Sequence, residues 1–256
     1  LVCHQPPAHK GGKWSADRWQ VKRMRPEVVE KLLALNRHFY EANAVDFSQS
    51  RQGINPGFAR VRELLPQPCP RLLDVGCGNG RFGQYAQQQA IGAYVGVDFS
   101  GSLLEVARAQ VVGEFHGRDL TQPGCLNDLG QFDAIVCLAV LHHIPGRDNR
   151  RQLLAAMGER LGADGRLFLS TWQFATNPRQ QRKIRPWSEI SLSPADVEPG
   201  DYLLTWQRGD FAYRYACHID AAAVTHLAVD AGLRVDQQFK SDGREGDLSL
   251  YTVLEK

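Results

Sequence analysis

Between residues 71 and 171 short apolar runs alternate with longer stretches of helical period. Residues 71–75 (RLLDV), 94–97, 132–138 (FDAIVCL) and 166–171 read as strands, and 114–117 as a weaker one. Residues 82–89, 103–111 and the amphipathic 150–161 read as helices between them, with a turn at 162–165. Strands that are apolar throughout are covered on both faces, and strands separated by helices pair in parallel. Upstream, Val28, Val29, Leu32, Leu33, Leu35, Phe39 and Tyr40 follow a helical period from Pro26, a residue suited to a first turn. A second helix over 57–65 stops before Pro66. Residues 173–201 carry Pro178, Pro186, Pro194 and Pro199 and no clear period, which predicts an inserted surface loop. Beyond it, 212–218 reads as a strand, 220–231 as a helix and 247–254 as a final strand.

Composition bounds this picture without changing it. Hydrophobic residues make up 43% and charged residues 23% of 256, enough to bury a sizeable core. No run of about 18 uncharged apolar residues indicates a membrane span. Residues 1–13 lack an apolar stretch of signal-peptide length, and the cysteines are scattered without a C-x-x-C pair. A reducing, cytoplasmic setting fits best, and neither a disulfide framework nor a zinc site is expected. Residues 1–25 form a loose basic arm of disordered composition, and 26–256 a single domain with its insertion at about 173–211.

The chemistry starts at Leu73–Arg81, L-D-V-G-C-G-N-G-R, a G-x-G-x-G loop after a strand and before a helix. Glycines let backbone approach a ligand closely, and the helix that follows presents unpaired N–H groups. The third glycine of a dinucleotide fingerprint is missing, and the charge of Asp74 would repel a pyrophosphate. The same charge suits a cationic ligand, such as the ammonium or sulfonium of S-adenosyl-L-methionine. Asp98 closes the second strand about 20 residues later, where a carboxylate accepts ribose hydroxyls. Asp119 follows the third strand, placed to accept from an adenine amino group, with Leu120 against the ring. Each aspartate alone could merely cap a helix or a turn; three at successive strand ends beside this loop point to one nucleoside site.

Together these residues resemble the class I methyltransferases, over about residues 39–171. The resemblance implies a Rossmann-like α/β fold: a mostly parallel central sheet, helices on both faces and an antiparallel C-terminal strand. It implies S-adenosyl-L-methionine as cofactor, lying across Gly76, Gly78, Asn79, Gly80 and Arg81. Tyr40, Asp74, Asp98, Phe99, Ser100, Asp119, Leu120, Leu138, Ala139 and His142 are the further residues expected around it.

Three segments are similar to one branch, the tRNA methyltransferases that esterify a carboxymethyl group on wobble uridine, among them the domain fused to AlkB-type hydroxylases. Phe47-Ser-Gln-Ser-Arg51 matches that branch's F-S-x-T-R, and Ala139-Val-Leu-His-His-Ile144 its A-V-x-H-H. Arg214-Tyr215 before His218, with Glu245-Gly-Asp-Leu-Ser-Leu250, follows its R-Y-Y-H and Q-G-N-W segments loosely, without the tryptophan. A carboxylate acceptor is already anionic and needs a cation rather than a strong base. Arg51, in contact with cofactor or substrate carboxylate, and Arg214 are the candidate cations, with His143 orienting the acceptor. A nearly flat pH profile from about 6.5 to 8.5 is then expected. His142-His143 lacks a carboxylate or cysteine at ligand spacing, so no metal is expected.

The basic arm, Arg147, Arg150, Arg151 and the arginine-rich residues 179–185 suggest a phosphate backbone, and Trp187, Trp206 and Tyr202 could stack on bases. Each is equally a solvated face or core packing. The partners implied are a tRNA and a small activator protein, and no membrane. Two other readings stay open: a small-molecule methyltransferase acting on a metabolite carboxylate or hydroxyl, with the insertion as a lid, and a non-enzymatic scaffold that binds the cofactor.

Overall fold

The structure is a computed structural model describing residues 23–43, 55–88, 91–206 and 211–256. Most of the basic arm and the segment carrying Arg51 lie outside the described residues.

Strand β1 (Cys69–Val75) sits mid-sheet because Leu72, Leu73 and Val75 leave no apolar surface for water. It pairs in parallel with β2 (Ile91–Asp98) on one side and β4 (Phe132–Leu138) on the other. β3 (Glu114–Gly117) extends the β2 side and β5 (Leu161–Trp172) the β4 side, again in parallel. β10 (Ser249–Glu255) runs antiparallel to both β5 and β9 (Arg234–Ser241). The seven-stranded order is β3-β2-β1-β4-β5-β10-β9. Strand order reverses between β1 and β4, and ligands of such sheets bind beyond the strand ends at that crevice.

Successive strand residues point to opposite faces. Leu73, Val75, Val95, Val97, Ile135 and Cys137 meet α1 (Pro26–Ala42), α5 (Arg147–Arg160) and α7 (Ala221–Asp230) through Val28, Leu32, Leu153, Leu154, Val224 and Leu227. Leu72, Tyr94, Ala134, Val136 and Phe168 meet α2 (Pro56–Leu64) and α3 (Arg81–Ala86) through Phe58, Val61, Phe82 and Tyr85. α4 (Gly101–Gln110) begins at a Ser100 cap, whose side chain accepts from the Leu103 N–H.

Two expectations need correction, and one strand was not anticipated. The turn at 162–165 is an irregularity inside β5: pairing to β4 jumps from Phe132↔Leu161 to Ala134↔Arg166. β9 was not visible as a strand, because RVDQQFKS has no apolar run; it is a sheet edge with mostly half-exposed residues. The insertion is not a plain loop. It holds the short helix α6 (Pro178–Gln181) and β6 (Ile184–Arg185), then β7 (Asp201–Trp206), which pairs with β8 (Ala212–Cys217) in a second sheet ordered β6-β7-β8.

A buried polar knot ties that sheet to the main fold. Arg150 of α5 donates to Glu198 at 2.8 Å and to the Tyr215 hydroxyl at 3.0 Å, and Tyr215 donates to Asp201 at 2.6 Å. Burial of two carboxylates is tolerable only because this guanidinium and its hydrogen bonds meet them. Arg150 is thus a structural cation and does not belong to a phosphate-binding surface. Arg147 and Arg185 are likewise paired, with Asp230 and Glu189.

Candidate functional site

A cavity of about 1230 Å³, mouth included, opens at the ends of β1, β2 and β4. Its floor is the loop after β1. Gly76, Gly78 and Gly80 all have positive φ, at 75°, 53° and 77°. A side chain at Gly76 would put its Cβ 2.3 Å from Val140 Cγ2, so glycine is required there by a close approach as well as by φ. Gly76 and Cys77 both donate to the Val97 carbonyl, at 2.7 and 3.0 Å, which fixes the loop to β2. Val140 is brought down by Ala139, whose φ of 61° is rare for a residue with a side chain. The Ala139 N–H is held by the Ser170 hydroxyl at 2.9 Å.

The aspartates behave differently from one another. Asp74 is buried, its carboxyl pushed up to about 7 by burial, against the Tyr94 hydroxyl donating at 2.7 Å. A carboxylate so placed gains from an ammonium, the group S-adenosyl-L-methionine would bring. Asp98 accepts the N–H groups of Gly78 and Ser100, both at 2.9 Å; burial still raises its carboxyl against these bonds. Asp119 faces the Thr121 N–H and hydroxyl, Gln122 and Arg37. Burial raises it, but these donors outweigh burial and hold it below the usual range. Four donors fill the roughly four acceptor positions of a carboxylate, so an adenine amino group would have to displace one of them.

The opposite end is aromatic. Tyr40 stands edge-on to Phe99 and to His143, with ring centroids 6.1 and 5.6 Å apart. Behind Tyr40 lies Arg214, 3% exposed, its guanidinium 4.7 Å from the Trp172 ring and within 5.5 Å of Phe39 and Trp206. Its buried Nε has no hydrogen-bond partner, and among the described residues no carboxylate pairs with it. Burial lowers its pKa, partly offset by Tyr40.

Of the residues expected around a cofactor, Tyr40, Asp74, Gly76, Gly78, Asn79, Arg81, Asp98, Phe99, Asp119, Leu120, Leu138 and Ala139 line this cavity, as does His143. Gly80, Ser100, His142 and Arg214 do not. Gly80 packs on Ala107 and Val111, Ser100 caps α4, His142 is buried against the Trp172 N–H, and Arg214 meets the cavity-lining Tyr40 from behind. Trp187 is core and Tyr202 packs on Phe174, so neither is a free stacking platform. Asn36, Arg37, Asp242 and Tyr251 line the cavity and were not foreseen. Asn36 and Arg37 lie on the helix of the Phe39 and Tyr40 pattern, but a polar residue at helical spacing reads as solvated. Asp242 and Tyr251 belong to the β9–β10 pair, of which only β10 was visible.

Among the described residues no helix is long and apolar enough to cross a membrane. No group of three or more His, Cys, Asp or Glu among them is placed to hold a metal.

Comparison with known proteins bears on the family and the fold. A protein of Encephalitozoon cuniculi, a methyltransferase by name, is 29% identical over 224 residues, 85% of this chain and 93% of that one. The tRNA (carboxymethyluridine(34)-5-O)-methyltransferase of Arabidopsis thaliana is 25% identical over 68% of this chain, which spans only 41% of that relative. The ubiquinone biosynthesis O-methyltransferase of Glaesserella parasuis is 31% identical over 40% of this chain and 44% of its own length. The fold matches the amino pentose methyltransferase CalS10 of Micromonospora echinaspora, solved with S-adenosylmethionine, at a TM-score of 0.58 and 17% identity, covering 85% of this chain and 97% of that one. The methyltransferase-domain family model matches residues 30–238, and the chain belongs to that family.

Proposed function

We propose that this chain uses S-adenosyl-L-methionine to methylate the carboxylate of a carboxymethyl group on a wobble uridine of tRNA. The cofactor supplies a methyl group on a sulfonium, already activated for displacement. Asp74, Asp98 and the glycine loop would hold it, and the protein's task is to bring the acceptor into line. The observation that carries the acceptor class is Arg214. Among the described residues no carboxylate stands beside this guanidinium, which is buried among aromatic rings and meets the Tyr40 hydroxyl; an anionic group arriving next to Tyr40 would offset the cost of burying it. The Arabidopsis relative supports a uridine carboxymethyl as that anion. Arg179 and Arg182 are exposed and, among the described residues, form no ion pair, which suits contact with phosphates. The proposal includes no activator protein, for which these relatives give no support.

The test is mass spectrometry of tRNA nucleosides from cells lacking the gene, with methyl transfer to tRNA bearing carboxymethyluridine as the direct assay. Loss of the ester and accumulation of the free acid are expected; an unchanged nucleoside profile sinks the tRNA reading. The Glaesserella relative favours a second reading, methylation of an oxygen on a small molecule. Turnover of small acceptors, with tRNA inert and bound without steep salt dependence, would select it.

A further inference from the structure

His142 and His143 close the 3-10 turn Leu141–His143 that follows β4, with ring centroids 4.3 Å apart. Each ring has one nitrogen facing a backbone group whose role is fixed by its chemistry. His142 Nδ1 lies 3.3 Å from the N–H of Trp172, which can only donate, so this nitrogen carries the lone pair. His143 Nδ1 lies 3.0 Å from the carbonyl of Tyr215, which can only accept, so this nitrogen carries the proton.

The Tyr215 peptide is itself held from the other side. β8 is the last strand of its sheet, and the outward N–H of Tyr215 donates to Asn36 Oδ1 at 2.8 Å. Asn36 Nδ2 donates back to the Tyr215 carbonyl at 3.2 Å and to the His143 carbonyl at 3.1 Å. One buried amide, 5% exposed on α1, thus pins both the backbone of His143 and the carbonyl that takes its ring proton. The amide's orientation is not ambiguous, since only Oδ1 can accept from an N–H.

We propose that the two adjacent histidines are locked in opposite tautomers, His142 as Nε2–H and His143 as Nδ1–H, and that Asn36 is the positioning residue for His143, which therefore meets the methyl acceptor through Nε2. This rests on membership in the methyltransferase family and on the turn's geometry, and it holds for either acceptor class. With Nδ1 committed to Tyr215, any exchange with a molecule in the cavity goes through Nε2. For a hydroxyl acceptor, the new oxygen–methyl bond forms as the methyl–sulfur bond breaks, its electron pair going to sulfur and the hydroxyl proton to Nε2. For a carboxylate no proton leaves, and Nε2 serves only when protonated, as a donor.

The test is long-range proton–nitrogen NMR of the whole chain labelled with ¹⁵N-histidine, with S-adenosylhomocysteine bound. His142→Gln and His143→Gln assign the signals. The expected pattern is Nε2–H at His142 and Nδ1–H at His143. Asn36→Ala is expected to move His143 toward a tautomer mixture and to lower kcat by about tenfold, with S-adenosylhomocysteine affinity within about twofold. A neutral His143 protonated at Nε2 with Nδ1 bare, in the unaltered chain, overturns the proposal without touching the tRNA reading. So does an Asn36 variant whose His143 tautomer is unchanged, whatever its kcat. Asn36→Ser, which keeps a small polar group, is read the same way if the alanine variant does not fold.

Discussion

The Asp98 carboxylate accepts the backbone N–H of Gly78 at 2.9 Å, across twenty residues of chain. The same side chain expected to receive ribose hydroxyls also holds the glycine loop in shape. Asp98→Ala is therefore expected to weaken S-adenosylhomocysteine binding by about 1.5–3 kcal/mol, the loss of a charged acceptor. Calorimetry measures it, and unchanged affinity would remove Asp98 from the site.

With its carboxyl raised by burial, Asp74 is expected to couple cofactor binding to proton release. Its carboxyl stands at about 7 in the free protein, above the ordinary value of about 3.9 for an unfolded chain. A raised carboxyl favours the fold while protonated, so that stabilisation is complete at low pH and is lost as pH rises through about 7. Pairing with an ammonium needs the ionised form. Affinity for S-adenosylhomocysteine is expected to fall by up to about tenfold per pH unit below 7, with a proton released on binding near pH 6. Calorimetry in buffers of different ionisation enthalpy reads that proton; none would mean Asp74 is ionised already.

The glycine loop and the strand-end aspartates that line the cavity were legible in the sequence because they are local. A glycine loop between a strand and a helix, and an aspartate at each strand end, are set by a few neighbouring residues. Of the acceptor side only single residues, His143 and Arg214, could be singled out, because what positions them comes from distant pieces. Asn36 and Tyr215 are 179 residues apart, and nothing in either segment announces the other. The strand β7 was hidden by the prolines before it. Arg150 looked like one more basic residue, although its partners Glu198 and Asp201 lie in what read as an irregular loop.

Cys77 lines the cavity but is not expected to act as a nucleophile. Burial, with the charges of Asp74 and Asp98, pushes its thiol far up, away from the reactive thiolate. Cys77→Ala should retain most of the turnover, and alkylating reagents should modify Cys77 slowly at neutral pH. Abolished turnover with cofactor binding intact would contradict this.

Arg214→Met keeps much of the side chain's volume and removes its charge. For an anionic acceptor kcat/KM is expected to drop about 10²-fold, roughly 3 kcal/mol, with S-adenosylhomocysteine affinity unchanged. Steady-state kinetics beside calorimetry separates the two. Undiminished kcat/KM would make the arginine a packing element only.

If the proposed His143 tautomer holds and its ring exchanges a proton in the reaction, the pH profile departs from the flat one expected from the sequence, with a sign that depends on the acceptor. For a carboxylate, kcat/KM should decline as pH rises and Nε2 loses its proton; for a hydroxyl it should climb, in either case by up to about tenfold per unit. His143→Gln should flatten both. A flat profile in the unaltered chain would show that this ring does not titrate in the reaction.

The buried knot of Arg150, Glu198, Asp201 and Tyr215 decides how this protein can change. Tyr215 stands in the second sheet, yet its hydroxyl anchors to a helix of the first and its carbonyl steadies His143. The second sheet is thus no detachable lid that could be traded for another to obtain a new substrate. Cutting it away would leave a guanidinium stranded in the interior and the turn after β4 without its brace. Foldability and the placement of His143 are inherited together here, so a variant meant to alter what the cavity accepts is better begun with single side chains such as Arg214 than with the exchange of a segment.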